Sequence, residues 1–274
     1  LIVSLPLMLM TFVKSKTKLV LRISGLPKLN FLRKKFWNLY SNNVFKVTSP
    51  TDATYEKLKL LKIFRVSQLE ILYDPVIFNK EIIEKKKEDI DEKFKNKRFI
   101  ISIGRLTKQK NFSLLLMAFK KIVSNEKDLN LIILGEGEEY QKLTKFTKEL
   151  NIDKSVYFLG YKNNIYKYLK NAECFILTSL WEDPGFVLLE SAFLNIPIIS
   201  SDCPNGPKEI LGNNERGFLF NNNDLDSLVF QYNNFKSCKK NDLKNKVLKA
   251  KKYSRNYSTF NHYKKIRQIL NLSS

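Results

Sequence analysis

The sequence is poor in the residues that build metal centres and covalent frameworks. It holds a single histidine, His262, and three cysteines, Cys174, Cys203 and Cys238, in 274 residues. An odd number of cysteines with no C-x-x-C spacing argues against a zinc site and against a disulfide framework. Each cysteine reads instead as a small buried hydrophobe of a reduced, intracellular protein. No run of apolar residues reaches the roughly 20 needed to cross a bilayer as a helix. The longest, LIVSLPLMLMTFV over residues 1–13, is broken by Pro6 and closed by Lys14. With no basic segment before it and no small-residue cleavage site after it, it does not read as a signal peptide. The expectation is a buried segment at a start that is truncated.

What is present is an ample core and a large excess of positive charge. Apolar residues make up 43% and aromatics 12%, so disorder throughout is excluded. The length fits one large or two ordinary domains. Lys and Arg number 48 against 27 Asp and Glu, a net charge of +21. Such a balance points to a polyanionic partner: nucleic acid, an acidic bilayer face or a phosphorylated ligand.

Short apolar runs alternate with stretches of helical spacing along the whole chain. KLVLRIS, VFKVTSP and LEILYDPVI before residue 80 are separated by a basic stretch near 29–40 and an amphipathic one over 52–62. A clearer series follows, with FIISIG at 99–104, LNLIILGEG at 129–137, VYFLG at 156–160, ECFILTS at 173–179, IPIISSD at 196–202 and GFLF at 217–220. Helical patterns lie between them, FSLLLMAFKKIV over 112–123 being the most regular. Alternation of this kind predicts parallel sheets covered by helices, the α/β class. The division expected is a partial N-terminal Rossmann-like domain over 1–80, a charged linker over 81–98, a second Rossmann-like domain over 99–251, and C-terminal helices over 252–274 that pack back toward the first domain.

In doubly wound sheets, ligands bind beyond the carboxyl ends of the strands, which selects three stretches. Gly104 and Arg105 follow FIISI, with Lys110 just before a helix: a glycine, two cations and a helix N-terminus suit a phosphate or diphosphate. Surface charge in a Lys-rich chain is the other reading. SLWEDPGFVLLE over 179–190 places Glu182 in a loop and Glu190 on the following helix, eight residues apart. First-turn amides at Gly185, Phe186 and Val187 are candidate phosphate donors, and carboxylates there can accept bonds from sugar or ribose hydroxyls. Glu182 reads equally as a partner of the helix dipole, and Glu190 as surface charge. DCPNGPKEIL over 202–211 is a turn-rich stretch leading into a short helix. GEGEE after LNLIIL lacks the third glycine of a dinucleotide fingerprint.

Together, S-x-x-E-x-x-G-F-x-x-L-E-S-A over 179–192, N-I-P-I-I-S-S-D-C-P-N-G-P-K-E-I-L over 195–211, G-R-L-x-x-x-K over 104–110, L-G-E-G over 134–137 and F-L-G-Y over 158–161 resemble the donor-binding half of a retaining glycosyltransferase of family four. The resemblance covers Phe99–Phe220 strongly and Lys18–Ile77 loosely. It implies a GT-B fold of two Rossmann-like domains, the N-terminal one incomplete. By the same resemblance Arg105 and Lys110 hold the donor diphosphate, backbone at Gly185, Phe186, Val187 and Leu188 supports it, Tyr161 lies by the nucleobase, Glu190 binds the ribose, and Glu182 contacts the transferred sugar as the catalytic residue. Glu209 matches a recurrent family acid. The implied donor is a nucleotide sugar, a UDP-sugar first among them, with no separate cofactor and no metal.

The sequence departs from the family pattern in two places: it has neither the N-terminal glycine-rich loop nor the acceptor-side histidine, since His262 stands near the end. Where the family has glycine, the chain has Asn195, a residue that tolerates the left-handed helix stop. The expected activity is sugar transfer to a polysaccharide or lipid-linked acceptor in surface-glycan assembly, at the inner face of the cytoplasmic membrane. Arg22, Lys28, Arg33, Lys34 and Lys35, interleaved with Phe31, Phe36 and Trp37, suit an interfacial helix on anionic lipid. A plain solvated face fits that stretch as well. The competing functions are a GT-B epimerase or phosphorylase and a basic nucleic-acid-binding protein, for which no recognised motif is present.

Overall fold

The computed structural model describes residues 17–24, 30–182 and 184–272; the apolar opening run and Lys28 lie outside the described residues. The chain divides into two compact units, one made of residues up to Pro75 together with those from Tyr257, the other of Val76–Asn256.

In the first unit, β1 (Val20–Arg22), β2 (Lys46–Ser49) and β3 (Leu69–Ile71) form a parallel sheet in that order. Parallel neighbours require crossovers, supplied by α1 (Phe31–Tyr40) and α2 (Asp52–Leu61). Each helix starts on a side chain that takes an otherwise orphaned amide: Asn30 Oδ1 accepts from Arg33 N–H at 2.9 Å, and Thr51 Oγ1 from Thr54 N–H at 3.1 Å. The core gathers Leu21, Ile23, Val47, Leu58, Phe64 and Trp37. Trp37, expected at a lipid surface, is 1% exposed and packs on Phe64. Arg22, expected in the same basic face, is ion-paired with Asp74. A stretch that mixes Phe and Trp with lysines carries both helix faces in one composition, and the largest ring went to the core.

In the second unit, α3 (Asn79–Lys85) precedes β4 (Arg98–Ile103), α4 (Phe112–Val123), β5 (Leu129–Leu134), α5 (Tyr140–Glu149), β6 (Val156–Phe158), α6 (Tyr166–Leu169) and β7 (Phe175–Leu177). Then follow α7 (Phe186–Phe193), β8 (Ile198–Ser201), α8 (Pro207–Leu211), β9 (Phe218–Phe220), α9 (Leu225–Ser237) and α10 (Lys240–Ser254). The strands pair in parallel in the order β6-β5-β4-β7-β8-β9. Ile100 and Ile101, like Leu131 and Ile132, are buried although they point to opposite faces, which is why these strands read as continuous apolar runs rather than alternating ones. The sheet turns back on itself between β4 and β7, the switch point at which such sheets open a crevice. The last helix, α11 (Thr259–Leu270), belongs to the first unit.

The segment expected as a solvated linker, 81–98, is instead part of the second unit. Ile82, Ile90 and Phe94 are buried, Phe94 edge-on to Tyr157 with ring centroids 5.1 Å apart. Three well-spaced apolar residues anchor it, hidden in the sequence by the surrounding lysines and glutamates. At the other end, α10 runs through the expected boundary at 251/252 and stays with the second unit.

Left-handed turns in this glycine-poor chain are built from asparagine. Among the described residues, nine non-glycine positions have positive φ, and all but Lys62 are Asn. Asn195, with φ of 62°, closes α7 through paired bonds: its N–H donates to Ala192 O at 3.1 Å and Ile196 N–H to Ser191 O at 3.0 Å, the pattern of a Schellman stop. Asn195→Ala is expected to lower stability in urea unfolding by about 1 kcal/mol, the cost of a Cβ residue without Asn's tolerance in this region. Asn195→Gly is expected to be neutral or better. Equal stability of the two variants would contradict the assignment.

Candidate active site

The carboxyl ends of β4, β5 and β6 are laced together through glycines. Gly104 N–H donates to Leu134 O at 3.0 Å, and Gly135 N–H to Gly160 O at 2.8 Å. Gly135 has φ of 134°, and a Cβ there would lie 2.0 Å from Gly104 O; at Gly137 it would lie 2.4 Å from Leu106 O. The two glycines of GEG, uninformative as a fingerprint, are thus what lets the loop after β5 lie on the loop after β4. This lacing leaves a cleft of about 300 Å³ bounded by Gly104, Arg105, Glu136, Tyr161, Lys162 and Ile165. Tyr161, 71% exposed, stands at its rim with its backbone N–H on Glu136 Oε1 at 3.2 Å. Arg105 is exposed, and its guanidinium has no partner among the described residues.

Lys110 ends a 3-10 turn, after which left-handed Asn111 starts α4. Its aliphatic stem lies over Gly104, where a Cβ would come within 3.2 Å of Lys110 Cε. Its ammonium crosses the switch point and donates to Glu182 Oε1 at 2.5 Å. Ser179 Oγ donates to the same oxygen at 2.5 Å. Glu182 is 4% exposed, and a carboxylate so far from water requires this pairing. The two loops are also tied directly: Leu180 N–H donates to Gln109 O at 2.8 Å and Thr178 Oγ1 to Lys110 O at 2.9 Å. Glu182 is therefore the counter-ion of Lys110. Ser179 escaped sequence reasoning, since a serine three residues before an acid carries no spacing signal in a loop.

Gly185, with φ of 87°, opens α7 directly behind Glu182: a Cβ there would sit 3.3 Å from Glu182 Cγ. The amides of Gly185, Phe186 and Val187 have no acceptor among the described residues. Leu188 differs from expectation, because its N–H already donates to Gly185 O at 3.0 Å and its side chain is buried; the third residue of the helix closes the first turn instead of facing a ligand. Glu190, half-buried on α7, accepts from Tyr166 OH at 3.0 Å. Burial pushes its carboxyl up to about 7, with Glu81 adding repulsion and the Tyr166 hydrogen bond opposing both. Among the described residues no bond joins Glu182 to Glu190: the first faces Lys110, the second Tyr166.

The remaining candidates are occupied elsewhere. Glu209 accepts from Tyr253 OH of α10 at 3.3 Å. His262 Nδ1 lies 2.6 Å from Tyr73 O inside the first unit. Cys174 and Cys203 are buried free thiols, both pushed up by burial, Cys203 to about 11.

The raised Glu190 has a thermodynamic consequence. The folded chain keeps this proton to higher pH than the unfolded one, so the group's stabilising contribution is present at acid pH and is lost as pH rises from about 4.5 to about 7. Glu190→Gln removes that slope. Its stability relative to the parent is expected to improve by about 1–2 kcal/mol between pH 5 and pH 8, one pKa unit being worth about 1.4 kcal/mol before solvent screening. Urea unfolding at the two pH values checks it, and a constant difference would refute it.

The model of the family described as glycosyl transferases group 1 matches residues 83–256. Over 131 residues the chain is 42% identical to an uncharacterized glycosyltransferase of Methanocaldococcus jannaschii, covering 48% of this chain and 32% of that protein. Over 249 residues it is 32% identical to N-acetylgalactosamine-N,N'-diacetylbacillosaminyl-diphospho-undecaprenol 4-alpha-N-acetylgalactosaminyltransferase of Campylobacter jejuni, covering 88% of this chain and 66% of that protein. The chain thus spans from one third to just under two thirds of the length of these relatives. Among solved structures, Anabaena HepE in complex with UDP superposes with a TM-score of 0.76 at 14% identity, over 98% of this chain and 76% of HepE. At that identity the likeness speaks for the fold alone. The chain belongs to the glycosyl transferases group 1 family and has its GT-B type of α/β fold.

Proposed function

We propose that the chain binds a nucleoside diphosphate sugar, a UDP-sugar, along the carboxyl ends of β4 to β7 and transfers the sugar with retention to a polysaccharide or lipid-linked acceptor of surface-glycan assembly. The observation that carries this is that Arg105, which has no partner among the described residues, Lys110, and the N-terminus of α7, whose first amides have no acceptor among the described residues, all lie in segments that follow β4 and β7, neighbours at the switch point. Lys110 gives one of its three N–H bonds to Glu182 and keeps two for phosphate oxygens. Arg105 offers a planar fork suited to a second phosphate, and the amides at Gly185–Val187 complete an anion cradle.

These fixed charges act where the diphosphate leaves. They stabilise the negative charge that grows on the leaving oxygen while the sugar becomes oxocarbenium-like, so the chain's own cations, rather than a divalent metal, take that charge. Glu182, bound through Oε1 to Lys110 and Ser179, is the carboxylate we assign to balance the positive charge that develops on the transferred sugar. Glu190 accepts the ribose hydroxyls and Tyr161 borders the base. UDP is favoured as the leaving group because it occupies the similarly folded HepE, and a lipid-linked acceptor because the Campylobacter relative is named for one.

The proposed membrane contact, at the inner face of the cytoplasmic membrane, is supported by α1. Phe31 and Leu32 are 80% and 74% exposed, Leu39 is exposed about two turns further on, and Arg33, Lys34 and Lys35 lie between them. Apolar insertion together with basic attraction is what an anionic bilayer surface takes.

Calorimetric titration with UDP and GDP tests the donor site. Arg105→Ala and Lys110→Ala are each expected to weaken UDP binding by about tenfold or more, as loss of a charge-assisted hydrogen bond implies. UDP bound equally well by the double variant would place it elsewhere. For the membrane, Phe31→Ser/Leu32→Ser is expected to reduce co-sedimentation with vesicles containing phosphatidylglycerol by several-fold. Unchanged sedimentation would remove α1 from that role.

A further inference from the structure

Glu190 is held by a short and firmly anchored piece of structure. Helix α6 is only four residues long, yet it is pinned at several points. Asn164 Oδ1 accepts from Tyr166 N–H at 3.0 Å, and Asn164 Nδ2 donates to Lys85 O, at the end of α3, at 2.9 Å. On its far side Tyr168 OH donates to Asp91 Oδ1 at 3.0 Å, and Lys167 pairs with the same carboxylate at 3.4 Å. Ile165, the residue before this helix, borders the cleft that holds Arg105 and Tyr161. The Tyr166 ring is buried, so its hydroxyl is aimed by the fold rather than free to wander, and it meets Glu190 Oε1.

We propose that Tyr166 is a positioning residue of the donor site: its hydroxyl fixes Oε1 of Glu190, leaving Oε2 as the oxygen that accepts the ribose hydroxyls of a nucleoside diphosphate. This rests on Glu190 being the ribose acceptor. The surroundings make the hydroxyl matter. Glu81 of α3 repels the carboxylate and is itself paired with Lys85 at 2.7 Å, and Lys251 of α10 lies over the neighbouring Phe193 ring. The Tyr166 hydrogen bond favours the ionised form against burial and Glu81, and only the ionised carboxylate presents an acceptor on both oxygens.

The test is titration of the full chain and of Tyr166→Phe with UDP and with 2′,3′-dideoxy-UDP between pH 6 and pH 8.5. Removing one hydroxyl is expected to weaken UDP binding at pH 7 by about five- to twentyfold and to move the pH midpoint of binding upward. With the dideoxy ligand, which has no ribose hydroxyls, the loss should shrink to within about twofold. Asn164→Ala keeps the hydroxyl but frees the turn that aims it, and is expected to give a smaller loss of the same ligand-dependent kind. UDP affinity and midpoint unchanged in Tyr166→Phe, or equal losses for both ligands, would overturn the positioning role and leave a merely structural tyrosine. Failure of the unmodified chain to bind UDP, or binding that survives Arg105→Ala/Lys110→Ala, would instead overturn the donor site itself.

Discussion

Everything at the candidate site depends on the hydrogen-bonded position of β4. It is bonded along its whole length to β5, from Arg98 opposite Leu129 to Ile103 opposite Leu134, and on its other edge to β7 at Ile101 and Phe175. Because β5 flanks β4 on one side and β8 flanks β7 on the other, the chain leaves β4 toward one edge of the sheet and leaves β7 toward the opposite edge. The loops that follow these two strands therefore start side by side and head apart. Lys110 and Glu182, far apart in sequence, close that gap with one ion pair. Removing either partner would strand a charge in a place nearly shut off from water, which is costlier than the pair is stabilising.

The two ends of the sheet use arginine in opposite ways. At the amino end of β4, Arg98 is surrounded: Glu126, Asp128 and Glu173 each take a bond from its guanidinium, and Lys236 joins two of them. Asp128 is held below the usual carboxylate range by its hydrogen bond to Arg98, and Glu126 is held low against its burial by Arg98, Tyr232 and Lys236. At the carboxyl end Arg105 has no such company among the described residues. A net charge of +21 is thus a poor guide to the ligand; the informative quantity is which cations the fold leaves uncompensated.

Much of this was legible in the sequence, and the limits have physical causes. FIISI and LNLIIL announce buried parallel strands because both faces are covered, and FSLLLMAFKKIV matches its helix residue for residue. Gly104, Arg105, Lys110 and Glu182 gather at one end because loop position after a strand is itself a sequence observable. Ser179 and Tyr166 were not legible: each acts through a partner brought near only by the tertiary fold. The charged stretch around Ile82, Ile90 and Phe94 misled because composition averages over residues, while burial selects single ones. Trp37 misled for the converse reason, a helix with basic flanks having one side turned inward.

The asparagines of the left-handed turns also act on the chain when it is not folded. A glycine at such a turn is unstrained, but it gives the unfolded ensemble many more backbone states to lose, worth about 0.4–1 kcal/mol per site in comparisons with residues that bear a Cβ. Asparagine reverses both signs: it is mildly strained in the native turn, yet it narrows the denatured ensemble. At eight positions among the described residues these opposing amounts nearly cancel. A chain drifting toward asparagine can thus shed most of its glycines while its native state and its unfolded ensemble move together, leaving the difference between them little changed.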